Sequence, residues 1–360
     1  MTNLTNTEFP ISPPYSLLPT PRFASLLPDF WSRQANTPTH SFEFAPFGVP
    51  TQITTNRPEL LSAARLSAGR FSQPPTPNPQ PPNLQSPISL HLIVTPHPTP
   101  PLPADLPERL RYNGLDDWLS LSAGEWGHAF AHLPSRTAVA FLSPALAAET
   151  RLVSRYIVDH YLLNFILTEW AMLHASCVLD PSGQRLILMV APHNTGKSTT
   201  ALRLLRAGYM FLADGMALLR QNGKGFVAGG YPIGEVKLRD DVLALFSNYG
   251  GEAVQVREQR KTVVNLRAVH ADRLAETLFM PQQIHLCLVE RSSNTQTEIA
   301  PLSPAEAEPV LAANSVFWDE PARLAHNTAA LHVLLESAGL YRLKIGTEPE
   351  GIVQTIAKLT

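Results

Sequence analysis

The stretch from Leu186 to Asp214 constrains what this chain can fold into more than any other segment. It opens with an unbroken apolar run, Leu186 to Val190, which is too short for a globular helix and typical of a strand buried on both faces. The residues that follow, APHNTGKS, match the phosphate-loop pattern G-x-x-x-x-G-K-[ST] except at the first position, where Ala191 replaces glycine. Thr199 to Arg206 then predict a helix, so the motif has the strand, loop and helix that it requires.

The fixed residues of this loop suit the binding of a triphosphate. Gly196 permits the unusual backbone angles with which successive N–H groups turn toward an anion. Lys197 brings an ammonium group to the outer phosphates, and Ser198 offers a hydroxyl ligand to Mg²⁺. The N-terminus of the predicted helix adds a partial positive charge. The sequence therefore predicts a nucleotide and Mg²⁺ site, with these binding residues: Ala191, Pro192, His193, Asn194, Thr195, Gly196, Lys197, Ser198 and Thr199.

A second apolar strand, Tyr209 to Ala213, is predicted to end at Asp214. Ligands of open α/β sheets bind at the carboxyl ends of strands, so a carboxylate at this point lies where the phosphates are expected. Asp214 could act as a catalytic base or hold Mg²⁺ through water. The alternative is an exposed acid that caps a turn.

Composition and charge exclude several classes of protein. The apolar fraction of 44% supports a folded core, and the net charge of −2 shows no basic excess, so no nucleic-acid partner is expected. Cys177 and Cys287 lie in apolar runs without metal-ligand spacing, which predicts buried free thiols in a reducing cytoplasm. No apolar run approaches the roughly 18 residues of a membrane span, and no signal peptide is recognisable, so a cytoplasmic protein without a membrane partner is expected.

The front of the chain differs in composition from the rest. About two thirds of its 34 prolines fall at or before Pro103, and they concentrate in the tracts 73–82 and 96–103. Such tracts are extended and serve as spacers, or they dock a proline-binding partner. Strands are predicted at Ser41–Phe47, Ile88–Val94 and Thr137–Phe141. We therefore expect a loose tail at 1–39 and a small, mostly β unit with proline-rich loops at 40–144.

The remaining residues, 145–360, are expected to form the nucleotide-binding domain. Ala145 to Trp170 carries apolar residues at helical spacing and predicts one helix that joins the two parts. Leu173–Leu179 and Arg185–Val190 predict a hairpin that leads into the phosphate loop. Met216–Leu219 and Gly225–Ala228 flank an Asn-Gly turn and predict a second hairpin. The fold class is therefore α/β, with a mixed, hairpin-rich sheet.

The order of these motifs resembles a known family. The run LHAS from Leu173, the hairpin turn, LILMVAPHNTGKST and RAGYMFLAD together resemble the C-terminal catalytic domain of HPr kinase/phosphorylase, and more closely the wider group of HPr-type serine kinases. The resemblance covers roughly residues 150–360 and does not extend to the front unit. It implies a P-loop kinase fold related to phosphoenolpyruvate carboxykinase, ATP and Mg²⁺ as cofactors, transfer of phosphate to a serine hydroxyl, and homo-oligomers.

The resemblance also implies roles for individual residues. Lys197 and Ser198 match the phosphate-loop lysine and the metal-ligand serine, Asp214 matches the first acid of an Asp-Asp pair, and His174 matches the histidine before the loop. The catalytic residues implied are therefore Asp214, Lys197 and His174, and the metal ligands are Ser198 and Asp214. Gly215 departs from the pattern because it occupies the place of the second aspartate. No copy of the segment used for the reverse reaction is found, so neither phosphorylase activity nor HPr as substrate is expected.

Several further residues admit two interpretations. His174 could contact a phosphate or assist the acceptor, or it could be hydrogen-bonded in the core. The cations Lys237, Arg239 and Lys261 could pair with the triphosphate or with the acceptor, or they could lie on a solvated face. Glu235 is a candidate ligand for the metal or the acceptor.

Two functions from different classes follow. The first is an ATP- and Mg²⁺-dependent kinase that phosphorylates a hydroxyl, with serine favoured, on a peptide, protein or small molecule. The second is a non-catalytic nucleotide-binding regulatory or scaffold protein, suggested by Ala191 and Gly215. Turnover with a defined acceptor separates them.

Overall fold

The computed structural model describes residues 40–74, 86–96, 98–192, 194–223, 225–246, 248–256, 259–315 and 321–359. The predicted tail at 1–39, most of the first proline-rich tract and His193 lie outside these residues. Within them the chain is α/β with mixed sheets, as its sequence predicts.

The front half folds into a seven-stranded mixed sheet among the described residues. Its strands are β1 His40–Phe44, β2 Thr51–Thr55, β3 Ile88–Val94, β4 Arg111–Leu115, β5 Trp118–Ser122, β6 Gly127–His132 and β7 Thr137–Leu142. They lie in the order β1-β2-β3-β7-β6-β5-β4, with β3 parallel to both of its neighbours. Strand β1 ends before the predicted Phe47, because Pro46 opens a 3-10 turn at Pro46–Gly48.

Short helices lie between strands of the front sheet and between this sheet and the back half. They are α1 Leu61–Ala68, α2 Leu106–Arg109, α3 Pro144–Ala148, α4 Thr150–Leu152 and α5 Asp159–Ile166, with a π-helical turn at Val153–Val158 between the last two. The prediction of one helix from Ala145 to Trp170 is therefore wrong. Glu149 has non-helical backbone angles and separates α3 from α4, and the helix ends at Ile166. We call Thr150–Ile166 the linking helix.

The back half contains a second seven-stranded sheet and a three-stranded sheet, again counting described residues. The strands are β8 Ala171–Leu179, β9 Arg185–Val190, β10 Met210–Asn222, β11 Gly225–Tyr231, β12 Glu235–Leu238, β13 Gly251–Val256, β14 Gln259–Asn265, β15 Gln283–Arg291, β16 Glu298–Pro301 and β17 Gly339–Ile345. The helices are α6 Lys197–Arg206, α7 Asp240–Leu243, α8 Arg267–His270, α9 Pro304–Asn314, α10 Pro321–Ser337 and α11 Pro349–Ile356.

The larger sheet has the order β11-β10-β8-β9-β15-β17-β16, and the smaller has β12-β14-β13. Strands β9, β15 and β17 are parallel, whereas β8 and β10 form antiparallel pairs. The two predicted hairpins are confirmed, one between β8 and β9 and one between β10 and β11. The phosphate-loop strand β9 thus lies between an antiparallel neighbour, β8, and a parallel one, β15.

One prediction for this sheet is wrong. The two apolar segments on either side of Asp214 form a single strand, β10, so Asp214 lies in the middle of a strand and not at its end. The pairing with β8 shifts register between Phe211 and Ala213, and this irregularity lies just before Asp214. The antiparallel neighbour β8 explains why the strand continues, because it pairs with β10 on both sides of Asp214.

Side chains of β9 alternate between two cores, as a doubly buried strand requires. Leu186, Leu188 and Val190 pack into the cluster that includes residues of α9 and α10. Ile187 and Met189 pack into the cluster that includes α6 and α11. Both faces of the sheet are therefore covered, and β9 holds the loop that follows it from a rigid base.

A third core joins the front sheet to the linking helix. Buried residues of the linking helix, such as Ile157 and Phe165, pack in one cluster with Leu90 of the front sheet, and Leu218 and Tyr231 of the back half belong to the same cluster. The apolar packing is therefore continuous across residue 144. The predicted division into units at 40–144 and 145–360 stays a prediction.

Candidate nucleotide and phosphotransfer site

The phosphate-loop motif forms the connection between β9 and α6. Asn194 and Gly196 have φ values of 64° and 113°, in the region that favours glycine, and they turn the backbone into the helix. A Cβ at Gly196 would lie 3.3 Å from Ile345 Cδ1, so the position is also crowded. The Thr195 hydroxyl donates to the Pro192 carbonyl at 2.8 Å and closes the loop. Ala191 is only 1% exposed and belongs to the core behind the loop, where its methyl group packs.

Lys197 is the first residue of α6 and is buried. Its Nζ donates to the carbonyls of Ala191, at 2.5 Å, and Pro192, at 3.2 Å. Burial lowers the pKa of this ammonium, as does the charge of Lys261, while Asp214 opposes the shift. The amide of Thr200 bonds to the Gly196 carbonyl at 2.9 Å. The N–H groups before Thr200, at the N-terminus of α6, lack intrahelical partners, as at any helix start, and can bind an anion.

Asp214 faces the loop because β10 pairs with β8 in a fixed register. Asp214 lies opposite Ser176, and the Ser176 hydroxyl donates to Asp214 Oδ1. The Ser198 hydroxyl also bonds to this carboxylate. Burial raises the pKa of Asp214, against these two hydrogen bonds and the charges of Lys197 and Lys261, which lower it. The carboxylate is therefore held in place, and its raised pKa gives it a higher affinity for a proton than an exposed aspartate has.

Ser176 was not predicted as a site residue. The signal for it is its spacing, since it lies two residues after His174 and therefore on the same face of β8. His174 is half-buried and lies opposite Met216 in the register. Both side chains line the cavity that Asp214 lines.

The loop opens into a cavity of about 610 Å³, within the size range of ligand sites. Most of its lining comes from the phosphate loop, strands β8 and β10, strands β12 and β14, and the linking helix together with Tyr112 of β4. Single residues of β11, α7 and β15 also line it. Among the predicted residues, the cavity brings together His174, Asn194, Thr195, Gly196, Lys197, Ser198, Thr199, Asp214, Glu235, Lys237, Arg239 and Lys261. Ala191 and Pro192 contribute the carbonyls that bind Lys197 instead of lining the cavity.

The charged residues of the cavity divide into paired and unpaired ones. Glu235 forms an ion pair with Arg155 and lies 3.8 Å from Arg70. Its carboxylate is therefore already paired with cations, unlike a free metal ligand. Arg239 pairs with Asp241 at 2.6 Å. Within the described part of the chain, the side chains of Lys237 and Lys261 form neither an ion pair nor a hydrogen bond.

The cavity fits Mg²⁺ bound mainly by phosphate and water. The residues that the structure describes contain no group of three or more His, Cys, Asp or Glu side chains that could hold a metal by themselves. Mg²⁺ keeps several waters and takes few protein ligands when it binds with phosphates. The Ser198 hydroxyl and the Asp214 carboxylate, which bond to each other, are oxygen donors of the required kind.

Gly215 stands where the resemblance expects a second aspartate. A Cβ at this position would lie 3.4 Å from both Pro232 Cδ and the Tyr231 carbonyl oxygen, so a larger side chain would press on that segment.

Elsewhere, Cys177 and Cys287 are both buried and free, as predicted. No helix in the described ranges is long and apolar enough to span a bilayer.

Comparisons with known proteins add little beyond this geometry. No protein-family model matches the chain, and no curated protein sequence matches it. Among solved structures, it is similar to the Hpr(Ser) kinase/phosphatase from Coxiella burnetii, with a TM-score of 0.27 and 11% sequence identity, over 52% of this chain and 93% of that chain. At this level of similarity, conclusions about function depend on the site itself.

Proposed function

We propose that this protein is an ATP- and Mg²⁺-dependent phosphotransferase that phosphorylates a hydroxyl group, with a serine hydroxyl favoured. One observation carries the proposal: a half-buried carboxylate, Asp214, is held by Ser176 and Ser198 beside the ammonium of Lys197 and the start of α6. A phosphoryl-transfer site needs this combination of an anion-binding turn, a cation and one nearby carboxylate.

The triphosphate would be bound by the loop amides and Lys197. The lysine ammonium now bonds to the carbonyls of Ala191 and Pro192, and its flexible stem lets it exchange these oxygens for phosphate oxygens. Ser198 would hold Mg²⁺ directly and Asp214 would hold it through a water molecule, which leaves the carboxylate free to accept a proton. Mg²⁺, when bound, neutralises charge on the phosphates. The role of the chain is therefore mainly positioning and charge neutralisation.

Asp214 has the properties of the catalytic base. The acceptor oxygen forms a bond to the γ-phosphorus, the bond from that phosphorus to the leaving oxygen of ADP breaks, and the hydroxyl proton passes to the Asp214 carboxylate. A pKa raised by burial makes this carboxylate a stronger base than an exposed aspartate. Ser176 acts on the reaction through Asp214, by fixing the direction of its Oδ1.

The second candidate is a nucleotide-binding protein without turnover. Gly215 favours it, because this residue leaves Asp214 without the acidic neighbour of the family pattern. Ala191 does not favour it, because its methyl group packs in the core behind the loop.

Turnover measurements separate the two candidates. We would incubate the protein with labelled ATP, Mg²⁺, and serine, serine peptides or small hydroxyl compounds. Asp214→Asn is expected to lower kcat on the order of a thousandfold, because it removes the proton acceptor. The exposed Asp272→Asn serves as a matched control and is expected to retain the rate. Nucleotide binding with no turnover toward any acceptor would support the second candidate, and absence of nucleotide binding would contradict both.

A further inference from the structure

The cavity carries more positive charge than its own acids neutralise. Lys237 and Lys261 both line it, and among the described residues neither has an ion-pair partner. Arg291, at the end of β15, also lines it without an ion pair in the described ranges. The nearest carboxylates are Asp214, which also faces Lys197, and Glu235, which is paired with Arg155. Unpaired cations gathered in a concave site indicate an anionic ligand.

Two of these cations, Lys237 and Lys261, lie on neighbouring strands of the three-stranded sheet. Lys237 pairs with Val263 between β12 and β14, so Lys261, two residues from Val263, lies on the same face as Lys237. Lys261 is close enough to act on the charge of Lys197, which lies on the loop. The charges that act on Lys237 include those of Arg155, Glu235, Lys261 and Asp214. Both lysines therefore act on the same carboxylate, Asp214, from strands other than the one that leads into the phosphate loop.

Another wall of the cavity comes from the linking helix and the front sheet. Arg155 of the linking helix contributes to it and forms an ion pair with Glu235. Farther along, the rings of Tyr112 and His160 are 4.2 Å apart, and the Tyr112 hydroxyl donates to the Tyr156 carbonyl at 3.2 Å. These contacts join the front edge strand β4 to the linking helix. The cavity of about 610 Å³ is therefore walled by the linking helix and the front sheet as well as by the back half.

We infer that the acceptor is a small hydroxyl compound with an anionic group, that Lys237 binds this group with help from Lys261, and that the hydroxyl faces Asp214. This inference rests on the phosphotransferase function proposed above. A carboxylate and a phosphate share the chemistry that two ammonium groups recognise. The transfer itself is unchanged: the acceptor oxygen gains the γ-phosphoryl group, ADP leaves, and Asp214 receives the proton.

The assignment separates two tasks among the cations of the cavity. Lys197 serves the triphosphate, because it is the phosphate-loop lysine and the first residue of α6. Lys237 serves the acceptor, because it lines the cavity from β12, outside the phosphate loop, and forms no ion pair among the described residues. Substitution at Lys237 should therefore change the KM for the acceptor more than the affinity for the nucleotide.

A panel of probes tests the inference. D-glycerate and L-serine carry a hydroxyl and a carboxylate, glycerol 3-phosphate carries a hydroxyl and a phosphate, and glycerol is the uncharged counterpart. A serine peptide with blocked ends represents a polypeptide acceptor. Each is incubated with the full chain, labelled ATP and Mg²⁺, and the dissociation constant of Mg·ATP is measured in parallel by calorimetry. The variants are Lys237→Gln, Lys237→Arg and, as a matched exposed control, Lys358→Gln.

We expect transfer to at least one anionic compound and none to glycerol. Lys237→Gln should raise the KM for that compound about tenfold to a hundredfold, the effect of losing one charged hydrogen bond, and change the Mg·ATP dissociation constant by a clearly smaller factor. Lys237→Arg should recover most of the loss, and Lys358→Gln should match the parent.

Three results would overturn the inference while leaving the nucleotide site in place: equal use of glycerol, transfer to the peptide alone, or Mg·ATP binding with no transfer to any anionic compound. An equal effect of Lys237→Gln on acceptor and nucleotide would also overturn it, because Lys237 would then belong to the triphosphate. Absence of Mg·ATP binding by the parent protein would instead remove the proposed function together with this inference.

Discussion

The carboxylate of Asp214 depends on residues from two other elements. Ser176 reaches it from β8 and Ser198 from α6, and both donate hydrogen bonds to it. Burial raises its pKa, and the charges of Lys197 and Lys261 oppose that shift. Burial, the hydrogen bonds and the lysine charges together set the pKa of Asp214, so a single substitution can shift this pKa in a known direction.

We predict that kcat/KM falls at acid pH, and that this acid limb lies above the ordinary pKa of an aspartate, which is about 3.9. Asp214 must be ionised to accept a proton, so activity should fall as the pH is lowered through its raised pKa. Ser176→Ala removes a hydrogen bond that lowers this pKa, so the limb should move to higher pH. A limb that stays in place in Ser176→Ala would show that Asp214 is not the titrating base.

The same pKa predicts a change in stability. Between the ordinary and the raised pKa, the folded chain binds more protons at Asp214 than the unfolded chain does, so the free energy of unfolding falls as the pH rises through this window. At neutral pH, Asp214→Asn should therefore be more resistant to urea than the parent, and the difference should shrink at acid pH. A variant that is less stable than the parent at neutral pH would contradict the assigned direction.

At the scale of residues, a sequence motif can predict only the contiguous part of the candidate site. Lys197, Ser198 and Gly196 are read from one run of residues, and their positions follow from a loop that joins a strand to a helix. Ser176 could not be found in this way, because its contact with Asp214 depends on the pairing of two strands that are far apart in sequence. The cations Lys237 and Lys261 were predicted only as alternatives, since their place in the cavity depends on the register of β12 and β14.

At the scale of elements, breaks in the pattern were harder to predict than the elements themselves. Asp214 and Gly215 interrupt two apolar segments, which suggested a strand end, but pairing with β8 carries β10 through both residues. The periodic apolar residues after Ala145 predicted one helix, whereas Glu149 breaks it. Propensity and spacing describe local preference, and tertiary pairing decides whether an element continues.

A buried ion pair joins three elements around the cavity. Arg70 follows α1 in the front half, and its guanidinium contacts Asp159 of the linking helix at 2.6 Å. The Tyr231 hydroxyl, at the end of β11, donates to the same Asp159 oxygen at 2.7 Å. Arg70 Nη2 also donates to Ser154 Oγ at 2.5 Å. The linking helix, which forms one wall of the cavity, is thereby fixed against both halves.

We predict that Asp159→Ala lowers the free energy of unfolding by about 3–5 kcal/mol, because it removes the closest counter-charge of the buried Arg70 and leaves only Glu235, at 3.8 Å. The double variant Arg70→Met/Asp159→Leu should lose less, because it removes both charges. The matched control is the exposed pair of Arg109 and Asp105, where Asp105→Ala should cost no more than about 1 kcal/mol. Urea denaturation measures all of these variants. Equal losses for Asp159→Ala and Asp105→Ala would contradict the prediction.

At the scale of the whole molecule, the front half is part of the core that supports the site. Ile157, Leu162 and Phe165 of the linking helix are buried in a cluster with residues of the front sheet. Tyr112 extends from β4 to the cavity itself. The sequence placed a boundary at residue 144 from the change in composition, but composition alone does not reveal which faces of neighbouring elements pack together.

We predict that a chain starting at Ala145 does not fold cooperatively. It exposes the apolar face of the linking helix, and each large apolar side chain that loses its burial costs about 1.5–3 kcal/mol. A few such residues equal the usual stability of a domain, which is about 5–15 kcal/mol. Circular dichroism during urea titration, with a dye that binds exposed apolar surface, measures the effect. A sharp transition with the stability of the full chain would contradict the prediction.

The central claim is that the loop after β9 binds a triphosphate, and calorimetric titration with Mg·ATP tests it most directly. We expect one site per chain with a dissociation constant in the range of about 1 μM to 1 mM that is usual for enzyme substrates. Lys197→Ala should weaken binding at least about tenfold, since it removes a charged contact, and Lys358→Ala should bind like the parent. No heat of binding with the parent, or equal binding by Lys197→Ala, would contradict the claim.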